Sequence, residues 1–280
     1  MENFIKIGDE RVDLRVPAVM GILNVTTDSF HDGGKYLGEA RVIARVDEIA
    51  GQGAAIIDVG ACSTRPGAAA VSEKEEIARL TFAVELVRKY HPRLPVSIDT
   101  YRANVVREIR DCLGEVIVND ISGGTMDERM FDTVARLNAP YILTHIQGTP
   151  RDMQRDPRYD DVAREVFQFL QERAERLRGM GCTRLVIDPG FGFGKTVAHN
   201  YRLLDRLEAF LELGYPLLAG VSRKSMICNL LGLPPGEALN GTTVLNTIAL
   251  LKGATILRVH DVREAVEAVK IHQAMKETRS

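Results

Sequence analysis

One unit recurs along this chain and restricts what it can fold into. A short apolar run ends in a polar residue, a glycine-containing loop follows, and then comes a longer amphipathic stretch. The first four runs end at Asn24, at Asp58, at Asp99, and at Asn119 with Asp120. The last four end at Thr144 with His145, at Asp188, at Ser222 and at His260. Runs this short and this apolar read as strands buried on both faces, the habit of parallel sheets. Between them, Val42, Ile43, Val46 and Ile49 make the i, i+3, i+4, i+7 stripe of a helix over 39–52. The same stripe recurs over 73–90 (Ile77, Leu80, Val84, Val87) and 160–178 (Val162, Val166, Phe169, Leu170, Leu177). Eight such units in 280 residues predict an α/β chain closed as a (β/α)8 TIM barrel, which typically takes about 250 residues. An open, doubly wound sheet would need similar content, so closure rests on the count of eight.

No linker or low-complexity tract divides the chain, which predicts a single domain over 1–280. Its 36 Lys and Arg stand against 38 Asp and Glu, which argues against a nucleic-acid-binding face. A few placed Arg and Lys can still hold a small phosphate ligand. No apolar run approaches the roughly 20 residues that span a bilayer, and the charged start lacks the pattern of a secretory signal. No membrane contact is expected. Cys62, Cys112, Cys182 and Cys228 lie far apart with no CxxC pair, which speaks against zinc and for reduced thiols in the cytoplasm.

In a barrel the polar strand ends collect at the C-terminal mouth, where such enzymes do their chemistry. Asn24, Asp58, Asp99, Asn119, Asp120, His145, Asp188, Ser222 and His260 then describe one pocket, although each alone is equally a turn or cap residue. The loop from Asn24 to Gly34 is long and polar. Asn24 and Asp32 in it are oxygen donors suited to a well-hydrated Mg2+, or else parts of an ordinary Asx-rich turn. In Ser63-Thr64-Arg65-Pro66-Gly67, Arg65 is either a bidentate partner for pyrophosphate or a surface arginine. The stretch Asp188–Thr196 looks like a nucleotide-binding P-loop, but Pro189 stands where a glycine is required. It reads better as a flexible loop carrying an aromatic ring, with Asp188 at its root.

Ser222-Arg223-Lys224-Ser225 and Arg258-Val259-His260-Asp261 follow runs seven and eight, where barrels often hold phosphate. Arg258 lies inside an apolar run and must be paired, so a buried structural ion pair is the alternative to a ligand role. Asp99, Asn119 and Asp188, with Lys224 across from them, suit an amidine-like N–C–NH2 edge with its ring nitrogens and carbonyl. That is the recognition half of a pterin or guanine. A paired-carboxylate hydrolase would use the same acids differently.

Taken in order, the motifs are Met20–Thr26, Ser63–Ala68, Ser97–Thr100, Asn119–Gly124, Gln147–Pro150, Asp188–Lys195, Ser222–Ser225 and Arg258–Val262. A chain carrying all of them nearly end to end resembles the dihydropteroate synthases. The resemblance implies a (β/α)8 barrel that condenses 4-aminobenzoate with 6-hydroxymethyl-7,8-dihydropterin diphosphate, with Mg2+ assisting and a homodimer formed through barrel helices. It assigns Asp99, Asn119, Asp188 and Lys224 to the pterin, with Arg258 stacked over it. Asn24, Arg65, Arg258 and His260 go to the diphosphate, with Asn24 and Asp32 near the metal. Thr64, Pro66, Phe193 and Ser225 go to the aminobenzoate site, where sulfonamides compete. Arg65, Lys224, Arg258 and His260 form the implied catalytic set. Thr27, Ala61-Cys62 and Thr144-His145-Ile146 depart from the family's usual Pro, Gly-Glu and Met-His-Met. A pterin-binding methyltransferase barrel and a non-catalytic pterin-binding protein are the alternatives; the two basic motifs after runs seven and eight favour the synthase.

Overall fold

The computed structural model describes residues 4–25, 35–62 and 71–278. A hairpin comes first, β1 (Phe4–Ile7) and β2 (Glu10–Asp13), paired antiparallel. Eight strands follow: β3 (Ala18–Asn24), β4 (Ile56–Gly60), β5 (Val96–Asp99), β6 (Ile117–Asp120), β7 (Tyr141–Thr144), β8 (Leu185–Asp188), β9 (Leu218–Ala219) and β10 (Ile256–Val259). They form one parallel sheet in the order β8-β7-β6-β5-β4-β3-β10-β9. The two ends of that order meet through a parallel bridge between Ile187 and Leu217, where the Ile187 N–H donates to the Pro216 carbonyl at 2.9 Å. The sheet is therefore a closed barrel, and the open-sheet alternative falls.

The helices are α1 (Lys35–Gly51), α2 (Glu73–Tyr90), α3 (Ala103–Leu113), α4 (Met130–Leu137), α5 (Val162–Gly179), α6 (Val197–Asp205), α7 (Ser225–Leu231), α8 (Leu239–Leu251) and α9 (Val262–Glu277). The three predicted stripes fall on α1, α2 and α5. Side chains start two of these helices by accepting otherwise orphaned N–H groups. Ser72 Oγ takes the Glu75 N–H at 3.2 Å, and Asp161 Oδ1 takes those of Ala163 and Arg164 at 3.1 and 3.2 Å. At Gly21 helix and sheet approach closely, since a Cβ there would lie 2.6 Å from Ile49 Cγ2 of α1.

Side chains alternate between the inside and outside of a barrel strand. Val19, Ile57, Ile98, Val118, Leu143 and Val259 point outward into the core under the helices. Met20, Ile56, Ile117, Ile142, Val186 and Ile256 point inward and fill the lower barrel. Ile5, Ile7, Val12 and Leu14 join that inner cluster, so the hairpin plugs the N-terminal end. This hairpin lies outside the repeating strand–loop–helix unit. Its signal was the alternation of apolar and polar residues on either side of Gly8, which turns the chain at φ 58°.

Candidate active site

The pleat divides the nine polar strand ends. Asn24, Asp58, Asp99, Asn119, Asp188, Ser222 and His260 share the inward phase with the residues that fill the lower barrel. Asp120 and His145 are one residue out of step and face the helices, so they do not belong to the pocket. The Asp120 carboxylate is buried and accepts from Tyr141 Oη at 2.6 Å, Ser122 Oγ at 2.7 Å, and the Ser122 and Gly124 N–H groups at 2.8 Å each. It organises the loop behind the wall.

His145 Nδ1 lies 2.9 Å from Lys195 Nζ, and its ring meets Phe169 edge-on at 4.7 Å. Burial, reinforced by the Lys195 ammonium, pushes this imidazole down from 6.5 to about 2. Between those values the unfolded chain holds a proton that the native protein does not, so His145 makes stability fall as pH drops through that window. The slope from this one group is about 1.4 kcal/mol per pH unit. Urea unfolding at pH 7 and pH 5 is expected to show the loss, reduced in His145→Gln. An identical pH slope in the variant would contradict it.

Arg258 is the hub of the mouth. Its Nε donates to Asp58 Oδ2 at 2.6 Å and its Nη2 to Asp99 Oδ2 at 2.8 Å. Asn119 Nδ2 donates to the same Asp58 oxygen at 3.1 Å. The ion pair raised as an alternative is thus present, and it sits in the pocket itself: Arg258 links the floor (Asp58) to a residue assigned to the pterin (Asp99). Burial raises the Asp99 carboxyl against the pull of Arg258. For Arg258, burial alone would lower the guanidinium, and the two carboxylates outweigh it.

Across the mouth, Asp188 Oδ1 accepts the Gly190 N–H at 2.8 Å, and burial raises this carboxyl against the opposing Lys224. Lys224 is lowered to about 8 by burial, with Asp188 resisting. Its Nζ donates to the Phe191 carbonyl and lies 4.5 Å from the centre of the Phe193 ring, a cation–π distance. The loop between them, read from sequence as flexible, is held from behind. Lys195 is buried and places Nζ 2.8 Å from the Gly190 carbonyl and 3.1 Å from that of Phe193, besides His145. Gly190 has φ 72°, and a Cβ there would fall 1.9 Å from the His145 carbonyl oxygen. Lys195 is the positioning group that the sequence reading missed: the P-loop resemblance drew attention to the glycines and left the lysine without a partner.

At the third corner, Ser222 Oγ lies 3.0 Å from His260 Nδ1. Burial, then Arg258, lowers His260 to about 4, so it is neutral at pH 7. His260 and the exposed Asn24 border a cleft of about 540 Å3, which Arg41, Arg45 and Arg223 also line, balanced by Glu48, Asp261 and Glu264. The missing side chain at Gly60 leaves room for the Asn24 amide, because a Cβ there would lie 3.3 Å from its Oδ1.

Residues 20–260 match the family described as pterin binding enzyme. The dihydropteroate synthase of Escherichia coli K12 is 44% identical over 265 residues, covering 94% of this chain and 93% of its own. The chain belongs to the dihydropteroate synthase family. Like its relatives it is a transferase. A crystal structure of the Yersinia pestis dihydropteroate synthase in complex with a sulfonamide drug superposes with a TM-score of 0.89 at 40% identity, covering 98% of this chain and 99% of that one. The Xanthomonas albilineans dihydropteroate synthase in complex with 7,8-dihydropteroate gives 0.85 at 36%, covering 98% of each.

Of the residues assigned by resemblance to this family, the structure gathers Asp99, Asn119, Asp188, Lys224, Arg258 and Phe193 at one mouth. Asn24 and His260 stand at its edge. Ser225 is exposed at the start of α7, directly after Lys224. Asp32, Thr64, Arg65 and Pro66 lie outside the described residues. Among the described residues no three His, Cys, Asp or Glu side chains group as a metal site. Asn24 offers one neutral oxygen, which fits a Mg2+ held mainly by water and phosphate oxygens.

Proposed function

We propose that this mouth condenses 4-aminobenzoate with 6-hydroxymethyl-7,8-dihydropterin diphosphate, releasing 7,8-dihydropteroate and pyrophosphate on the route to tetrahydrofolate. The observation that carries the reading is the juxtaposition, on one barrel rim, of two recognition chemistries. Half-buried Asp99 and buried Asn119 and Asp188, with Lys224, match the hydrogen-bonding edge of a flat amino-oxo ring. Arg258, His260 and Asn24 beside them match an anionic tail.

The bond that breaks joins the pterin CH2 to the bridging oxygen of the diphosphate, and its electron pair leaves with that oxygen. The dihydropterin ring spreads the positive charge left on carbon, so no strong base is needed. Arg258, His260 and Arg65 absorb the charge growing on the leaving group, the kind of preorganised stabilisation that is usually the largest catalytic contribution. Asn24 and Asp32 are the residues assigned to hold Mg2+, which when bound adds positive charge against the diphosphate. The aminobenzoate nitrogen then donates its lone pair to carbon and loses one proton. That amine is already nucleophilic and mainly needs placing, the role given to Thr64, Pro66, Phe193 and Ser225. Sulfonamides compete at the same place.

Pyrophosphate release is expected to require both organic substrates, and chelating Mg2+ should slow it by more than about tenfold. Release that never depends on both substrates removes the reading. Loss of diphosphate before attack predicts that 18O placed in the bridging position scrambles to nonbridging positions without aminobenzoate. A second-order in-line displacement signature opposes this.

We further infer a homodimer and a cytoplasmic setting for this single domain over 1–280. Leu230, Leu231, Val244, Leu251, Ile271 and Met275 stand exposed on α7, α8 and α9, a set of large apolar side chains of the kind that marks an interaction surface. The four cysteines are free, as suits a reducing compartment. No described helix is long and apolar enough to cross a membrane.

A further inference from the structure

The Ser222–His260 pair carries more than a packing contact. Ser222 is buried, and its Oγ already accepts the backbone N–H of His260 at 3.1 Å. Among the described residues, the one acceptor within reach of its hydroxyl hydrogen is His260 Nδ1, at 3.0 Å. Were Nδ1 protonated, a buried hydroxyl would be left without an acceptor, and leaving a buried donor unmade is costly. The hydroxyl therefore donates, Nδ1 is bare, and the proton of the neutral ring resides on Nε2. That nitrogen lies on the far side of the ring from Ser222, and His260 is a residue of the cleft that Asn24 and Arg223 also line.

The backbone around the pair is held in place independently. Strand β9 ends at Ala219, so ladder hydrogen bonds no longer align the two chains at Ser222. Arg223 takes over by clasping Asp261 through Nε at 2.9 Å and Nη2 at 2.5 Å. Its own N–H donates to Thr242 Oγ1 at 3.0 Å, and Arg45 Nη2 donates to the His260 carbonyl at 2.6 Å. Arg223 pays for this role with φ 55°, rare for a residue with a side chain. Both partners of the Ser222–His260 bond are thus fixed by neighbours on either side.

We propose that Ser222 is a positioning residue whose hydroxyl holds His260 as the neutral Nε2–H tautomer, a preset hydrogen-bond donor to a phosphate oxygen of the leaving group. This rests on the reading of His260 as a diphosphate residue and adds what sets its proton. In 15N-histidine-labelled protein without ligand, with His260→Gln used for assignment, Nδ1 of His260 is expected to resonate as a bare nitrogen and Nε2 as a protonated one. Ser222→Ala is expected to mix the two tautomers. It should also weaken inorganic pyrophosphate in calorimetry by about tenfold, the size of one hydrogen bond, while leaving an unphosphorylated pterin unaffected. Ser222→Thr, which keeps the hydroxyl, should restore both readouts. A wild-type proton on Nδ1, or a tautomer that does not move in Ser222→Ala, overturns the proposal. A tautomer that moves while pyrophosphate affinity holds upholds the role of Ser222 and overturns the diphosphate role of His260.

Discussion

Arg258→Ala is expected to cost about 3–5 kcal/mol of folding stability, because it removes one partner of a buried ion cluster, and to lower kcat/KM by more than about a thousandfold. The first effect follows from the floor of the pocket. Asp58 is fully buried, and Arg258 supplies the cation at 2.6 Å from it and at 2.8 Å from Asp99. With the guanidinium gone, two carboxylates face each other with only the Asn119 amide to share. The Asp99 carboxyl, already raised by burial against the pull of Arg258, would then hold its proton still more tightly than in the unfolded chain. The variant should therefore lose more stability at pH 8 than at pH 5, since a carboxyl with a raised native pKa loses its advantage as pH rises. Arg258→Ala combined with Asp58→Asn should recover part of the loss. Urea titrations of the three variants test this, and an Arg258→Ala cost below about 1 kcal/mol would show that the cluster is not the keystone described.

Lys224→Ala is expected to weaken binding of an unphosphorylated dihydropterin by about 10- to 100-fold, the range of a hydrogen bond to a charged group. Of the cations that act on Asp188, the Lys224 ammonium exerts the strongest pull, ahead of Arg258 and Lys195. Its loss leaves that buried carboxylate the Gly190 N–H at 2.8 Å. It also removes the cation from the Phe193 ring, so KM for aminobenzoate should rise as well. Lys224→Arg is not expected to rescue the defect. A Cβ at Gly192 would sit 3.1 Å from Lys224 Cδ, so the lysine stem already occupies the space a planar guanidinium would need. In the unaltered protein, pterin affinity should decline as pH rises through about 8, where the ammonium gives up its proton. Calorimetry that finds the alanine variant binding as tightly as the parent rejects this role.

Local pattern alone located all eight barrel strands, three of the helices and the polar residues at or near the strand ends, because strand length and helical periodicity are written within a few neighbours. Whether Asn119 or Asp120 enters the pocket was not written there. Strands buried on both faces carry no period-two signal, so the inward face is chosen by register with the next strand, as when Asp99 aligns with Asn119. The same holds for His145, which its sequence position placed in the pocket and the pleat turned away. The pairing of Arg258 with Asp58 and Asp99 joins residues 200 and 159 positions apart. Only closure of the barrel brings them together, and a lone buried arginine says that it needs an anion without saying which. Residue chemistry thus decided what the mouth is made of; the geometry of a closed, twisted sheet decided which of those groups meet, since a charge in a low-dielectric interior takes whichever partner the fold places within hydrogen-bond reach.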